Sequence, residues 1–284
     1  MEPELQRGEG QRGEGMSAEP LLTVEKVTKT YTGKEAEVTA LKDIDVSVSK
    51  GEFVSVVGPS GCGKTTLLEI MAGLREPTSG SVKVRGQEIR GPHPSIGIVF
   101  QEESTFPWRT VLENVEFGLQ MRGVEKKERR ERARELISLV GLSEFEGAYP
   151  HQLSGGMRQR VAIARTLVTR PEIVVMDEPF GALDEQTRLI LGLELLNIVE
   201  RTEATVVLVT HSIQEAALLS DKIIVLSARP GQIKTVIHST LPRPKDEVTL
   251  TTPEFASITQ RLWSLLEGRD LSWRSSRKRP FRSK

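Results

Sequence analysis

Residues 58–66 read Gly58-Pro59-Ser60-Gly61-Cys62-Gly63-Lys64-Thr65-Thr66. They lie between an apolar run, Phe53-Val54-Ser55-Val56-Val57, and a helical pattern, Leu67-Leu68-Glu69-Ile70-Met71-Ala72. No other stretch constrains the fold as much as this order of strand, glycine loop and helix. Its spacing fits a loop that cradles the phosphates of a nucleoside triphosphate. Glycines let consecutive backbone N–H groups turn toward one point, which makes a concave anion site. The helix starting there adds a partial positive charge. Lys64 brings a full charge to the outer phosphates, and the Thr65 hydroxyl can ligate Mg²⁺. A mere glycine-rich turn with a surface lysine would need neither the flanking strand nor the helix.

The chain of 284 residues carries 39 basic and 39 acidic side chains. This balance gives no global pull toward nucleic acid or an anionic membrane. With 37% hydrophobic residues it can build real cores. Its one cysteine, Cys62, excludes an intramolecular disulfide and a cysteine-based zinc site, and fits a reducing compartment. No apolar run approaches the length of a bilayer crossing, and no secretory signal core is expected. These features predict a cytosolic protein, free or docked.

Residues 1–20 are polar, with a tandem repeat of Gln-Arg-Gly-Glu-Gly at 6–10 and 11–15, and are expected to form a disordered tail. Two strands follow, near Leu21–Val27 and Thr39–Val48, with Tyr31 expected in the turn Thr30–Gly33. Short connections suggest an antiparallel sheet beside the nucleotide core. From Glu102 the pattern turns helical, and residues 102–165 are expected to form a small helical subdomain inserted into the core. The charged half of one of its helices, Glu125–Glu135, reads as a solvated face. Continuous apolar runs at Ile173–Met176 and Thr205–Val209 fit parallel strands covered on both faces. Strands alternating with helices give a mostly parallel α/β sheet. Residues 231–284 are read as a C-terminal extension. Its basic end, Trp273–Lys284, is read as a solvated tail, with a lipid-headgroup contact as the alternative.

A phosphate loop needs metal ligation and a way to activate water. Asp177, closing an apolar strand, suits the metal shell. Glu178 is expected on the opposite face of the extended chain, able to take a proton from the attacking water. His211 and Gln101 end neighbouring strands, where the carboxyl ends of an open α/β sheet face the ligand crevice. His211 can hold the γ-phosphate or the water, and Gln101 can touch Mg²⁺ and report occupancy to the helical insert. Ser154-Gly155-Gly156 at a helix start makes a second anion-binding nest.

In this order, Gly58–Thr66, Gln101, Leu153–Met157, Ile173–Glu178, Gly181–Asp184 and His211 resemble the nucleotide-binding subunit of ATP-binding cassette (ABC) transporters. The likeness covers about residues 21–230. It implies a P-loop NTPase core with an antiparallel β subdomain and an inserted α-helical subdomain. It also implies ATP and Mg²⁺ as ligands and a head-to-tail pair of copies. In such a pair ATP is sandwiched between one phosphate loop and the other chain's Ser154, Gly155, Gly156 and Met157. Met157 stands where the family often has Gln, a change the backbone contacts should tolerate. Tyr31 matches the aromatic that stacks on adenine, the alternative being a core tyrosine at a strand end. Asp184 belongs to the loop expected at the nucleotide interface.

Phe106-Pro107-Trp108, Phe180–Asp184 and Ser227-Ala228-Arg229-Pro230-Gly231 look like bacterial importers of nitrate, sulfonates, taurine and bicarbonate. The resemblance implies a peripheral ATPase on the cytoplasmic face of the membrane. Its partners would be a separate permease and, indirectly, an extracytoplasmic solute-binding protein, with no nucleic acid. An exporter ATPase, or a soluble ABC ATPase acting on nucleic acid or ribosomes, is the alternative.

Overall fold

The computed structural model describes residues 20–33, 36–101, 104–181 and 183–267. The expected tail at 1–20, save its last residue, and the basic segment Trp273–Lys284 lie outside the described residues. In chain order the elements are β1 (Leu22–Thr32), β2 (Glu37–Val48), β3 (Phe53–Val57), α1 (Lys64–Met71), β4 (Ser79–Val84), β5 (Gln87–Glu88) and β6 (Ile96–Val99). There follow α2 (Val111–Met121), α3 (Lys126–Leu139), α4 (Gly155–Leu167), β7 (Ile173–Asp177), α5 (Glu185–Thr202), β8 (Thr205–Val209), α6 (Ile213–Leu219), β9 (Lys222–Leu226), β10 (Ile233–His238) and α7 (Pro253–Glu267).

The strands form two sheets. One is four-stranded and antiparallel, in the order β2-β1-β4-β5. The other has six strands in the order β10-β9-β3-β8-β7-β6, parallel except for the edge strand β10. This is the α/β P-loop NTPase core with its antiparallel β subdomain. All five residues of β3, of β7 and of β8 are buried. Each buried valine or leucine contributes about 1.5–3 kcal/mol, so a strand of them is stable only between two covered faces. Alternate residues serve the two faces. Val54, Val56, Val207 and Val209 join α1 and the antiparallel sheet in one core. Phe53, Val57, Val206 and Leu208 join the helices in the other.

Tyr31 corrects the expectation of a turn. It lies in β1 opposite Val38, with Thr32 opposite Glu37. Register shifts interrupt β1 between Val24 and Thr30. They break the two-residue alternation, so the sequence pattern fades before the strand ends.

The inserted helices share a core with the rest of the chain. Val111 and Val115 of α2, Ile137 of α3 and Val161 of α4 lie in the same apolar cluster as β3 and β7. A capping box starts α2: Glu113 N–H donates to Thr110 Oγ1 (3.3 Å), and Thr110 N–H donates to the Glu113 carboxylate (3.0 Å). The charged half of α3 is less solvated than expected. Arg129 and Arg130 turn back onto the buried Glu116 of α2, at 3.0 and 3.6 Å. Beyond residue 230, β10 hydrogen-bonds along β9, and Phe255, Ile258 and Leu262 of α7 enter the helical core. Among the described residues, no helix is long and apolar enough to cross a membrane.

Candidate active site

The carboxyl ends of β3, β7 and β8 meet at one edge of the core sheet. The loop after β3 carries two glycines with left-handed backbone, Gly61 (φ 72) and Gly63 (φ 99). A Cβ on Gly63 would stand 2.8 Å from Leu41 Cδ2, so both conformation and space require glycine. Helix α1 begins immediately after, at Lys64. Lys64 is almost fully buried, and its Nζ donates to the carbonyls of Gly58 (3.0 Å) and Pro59 (3.4 Å). An ammonium has three donors, so one remains for the cavity.

That cavity has a volume of about 340 Å³. Of the residues singled out in the sequence, Tyr31, Ser60, Gly61, Gly63, Lys64, Thr65, Thr66 and Glu178 line it. Tyr31 Oη lies 3.2 Å from Thr66 Oγ1, which ties the strand to the helix start. Its ring has Lys29 Nζ at 5.5 Å and the Arg75 guanidinium at 5.4 Å from the centroid.

Cys62 is different. Its side chain is buried in the core beneath the antiparallel sheet, its sulfur 2.8 Å from where a Gly58 Cβ would stand. Burial pushes its thiol pKa up, against the pull of Lys64. Cys62 therefore offers the cavity no side chain. Gly58 and Pro59 likewise lie off the cavity wall, and their carbonyls are engaged by Lys64.

Asp177 ends β7 and is 6% exposed. Its Oδ1 is buried without a hydrogen-bond partner. Burial pushes its pKa up, opposed by the Thr65 hydroxyl and raised further by the neighbouring Glu178 charge. An orphaned carboxylate oxygen next to a threonine hydroxyl fits the outer shell of a Mg²⁺ ion.

Glu178 departs from the expected extended chain, with φ 43, in the left-handed region. Non-glycine residues held there cost about 1–3 kcal/mol and cluster at functional sites. Two hydrogen bonds impose the bend: Glu178 N–H donates to Val209 O (2.8 Å), and Gly181 N–H donates to Glu178 O (2.9 Å). The side chain turns to His211, whose Nδ1 donates to Glu178 Oε2 at 2.9 Å. An ionised carboxylate only accepts, so Nδ1 is the donor in this pairing.

Behind His211, Thr210 Oγ1 donates to the buried Glu215 of α6 and accepts from Ser212 N–H (2.9 Å). Glu215 is pushed up to about 7 by burial. Neither Glu215 nor Thr210 was singled out in the sequence; an acid inside a short, largely apolar helix, Ile213-Gln214-Glu215-Ala216-Ala217, was the available signal.

The other sequence candidates lie away from this cavity. Gln101 is exposed, two residues past β6. Ser154 caps α4, its Oγ accepting from Met157 N–H (3.3 Å). Gly155 and Gly156 form the first turn of α4, and Met157 packs against the helical core. Asp184 caps α5, accepting from Thr187 N–H (3.0 Å), which holds its carboxyl below the usual range.

A family model described as ABC transporter matches residues 41–181. The chain is 52% identical over 246 residues to an uncharacterized ABC transporter ATP-binding protein of Methanocaldococcus jannaschii, covering 87% of this chain and 91% of that one. It is 44% identical to a nitrate import ATP-binding protein of Synechocystis sp., over 88% of this chain and 96% of the relative. An aliphatic sulfonates import ATP-binding protein of Bacillus cereus is 41% identical, over 87% and 96%. Among solved structures, a dimeric ATP-binding cassette in a post-hydrolysis state with ADP and Pi superposes with a TM-score of 0.67 at 36% identity, covering 76% of this chain and 98% of that one. The phosphate loop, the strand-end acids and these likenesses agree: the chain belongs to the ATP-binding subunits of the ABC transporter family.

Proposed function

We propose that this protein is the energy-coupling ATPase of an importer for a small anionic or organic solute of the nitrate, sulfonate or taurine type. The observation that carries the catalytic part is the Glu178–His211 pair, held at 2.9 Å with Glu178 on the wall of the phosphate cavity. Glu178 accepts a proton from the water that attacks the γ-phosphate. His211 orients that carboxylate from the end of the neighbouring strand. The phosphate loop and Lys64 bind the triphosphate, and Tyr31 takes the adenine. Thr65 and Asp177 would hold Mg²⁺, which supplies charge neutralisation at the phosphate oxygens. Gln101, between the core and the insert, passes occupancy to the helices.

Ser154–Met157 do not line the cavity of their own chain. A second copy, placed head to tail, supplies them and Asp184 to each site. The solved dimeric cassettes support this arrangement. Coupling requires a membrane permease as a separate chain, which puts the protein on the cytoplasmic face of the membrane, with an extracytoplasmic solute-binding protein feeding the permease. Relatives named for nitrate, bicarbonate and sulfonate import support the solute class.

Deleting the gene and measuring uptake of labelled nitrate and alkanesulfonates tests the transport role. Loss of one of these uptakes, restored by the wild-type gene but not by Lys64→Ala, is expected. Recovery of the purified protein with ribosomes or DNA, and unchanged uptake, would contradict it.

A further inference from the structure

The turn between β9 and β10, residues 227–232, is built against the phosphate loop. Ser227 organises it, accepting from Gln232 N–H (3.0 Å) while its backbone N–H donates to Gln232 O (2.8 Å). Gly231 is pressed onto the loop: a Cβ there would stand 2.1 Å from Cys62 O. Gly231 N–H donates to Ala40 O (2.8 Å), and Lys42 N–H donates to Gly231 O (2.9 Å). The turn thus ties β2, whose Val38 and Ala40 also line the cavity, to the loop that receives phosphates.

Arg229 stands at the tip of this turn. Its Nε donates to Gly61 O at 2.7 Å. A Cβ on Gly61 would be 3.1 Å from a terminal guanidinium nitrogen, so the guanidinium lies over the loop at its second glycine. Nε is the one guanidinium nitrogen that a protein hydrogen bond engages among the described residues. Arg229 also lines the phosphate cavity, where it and Lys64 are the two cations among the described residues. A triphosphate carries more charge than one lysine matches, and a planar guanidinium presents parallel donors suited to phosphate oxygens.

We propose that Arg229 is a nucleotide contact: fixed to the Gly61 carbonyl through Nε, it binds phosphate oxygens of the bound nucleotide with its terminal nitrogens. The proposal rests on this cavity being the ATP site.

Titration calorimetry with ADP on the full-length protein tests it, because ADP binds without turnover. Arg229→Gln can still donate to Gly61 O but has lost the charge. Its ADP dissociation constant is expected to rise about tenfold, the effect of losing one charge-assisted hydrogen bond. Arg229→Lys keeps the charge but gives up both the Nε tie to Gly61 and the parallel donors, so its ADP dissociation constant is expected to fall between those of wild type and Arg229→Gln. Raising the salt is expected to weaken wild type more than Arg229→Gln, because wild type has one more ion pair to screen. Wild-type affinity in Arg229→Gln, with loss seen only in Arg229→Ala, overturns the proposal and leaves Arg229 as a loop brace. Wild-type protein that takes up no ADP overturns the ATP-site reading and this proposal with it.

Discussion

His211 Nδ1 and Glu178 Oε2 are 2.9 Å apart, although the two residues come from different strand ends, 33 positions apart in the chain. The pair exists because Glu178 bends into the left-handed region as it hydrogen-bonds to the last residue of β8. Replacing Glu178 by Gln keeps the shape and removes the proton acceptor. ATP turnover is expected to fall by about 10²–10⁴, the usual contribution of a general base, with ATP binding retained. His211→Ala should lower kcat more than it raises KM if, as proposed, the histidine acts by orienting the base. Steady-state ATPase kinetics check both, and wild-type turnover in Glu178→Gln would remove the base assignment.

Glu215 sets a pH dependence of stability. Burial raises it from an ordinary value of 4.5 to about 7, with Thr210, Arg188 and His211 pulling it down and Glu178 pushing it up. The folded state therefore holds this proton more tightly than the unfolded chain. The stabilisation is full below about pH 4.5 and is lost as pH rises through about 7. Glu215→Gln is permanently neutral, so urea unfolding should show a smaller drop in stability between pH 5 and pH 8 than wild type shows. The same drop in both proteins would contradict the assignment.

Asn114 organises the aromatic loop before α2. Fully buried, it accepts from Phe106 N–H (2.7 Å) and its amide donates to the carbonyls of Phe106 (3.1 Å), Arg109 (2.9 Å) and Thr110 (3.0 Å). This holds Trp108 outward, 72% exposed, while Arg165 covers the Phe106 ring at 4.1 Å. Asn114→Ala removes the side-chain partners of Phe106 N–H and Arg109 O, while Phe106 O and Thr110 O keep backbone donors, and should cost about 2–4 kcal/mol, measured by denaturant unfolding. A loss under 0.5 kcal/mol (about the scatter of a neutral surface change) would show that the loop holds itself.

Cys62 is shielded by packing and its thiol is raised by burial. Reaction with a neutral disulfide reagent at pH 8 should be at least about tenfold slower in the native protein than in urea, because the thiolate is the reactive form. Equal rates would place the sulfur at the cavity instead.

Much of this site was legible because its signals are local. Apolar runs ending abruptly at Gly58, Asp177 and Thr210 mark buried parallel strands, and strand ends in such sheets converge on one crevice. The side-chain directions were less legible. Cys62 sits amid glycines that face phosphate, yet its sulfur turns into the core, which the spacing cannot express. Glu178 bends out of the strand path through a hydrogen bond to Val209, a partner far along the chain. Tyr31 looked like a turn residue because irregular register hides the end of β1. Arg229 enters the sequence reading only within Ser227–Gly231, a stretch that resembles importers; its tie to Gly61 spans 168 positions and has no local signature.

On the proposed reading, each ATP site is half-built within one chain and completed by Ser154–Met157 of another. Light scattering of the Glu178→Gln protein with and without ATP measures this most directly. ATP, but not ADP, is expected to shift the mass from 31.5 kDa to twice that value, and Ser154→Arg in the same background should abolish the shift while ATP still binds. A protein that binds ATP yet stays at the monomer mass, or a dimer indifferent to Ser154, would contradict the account.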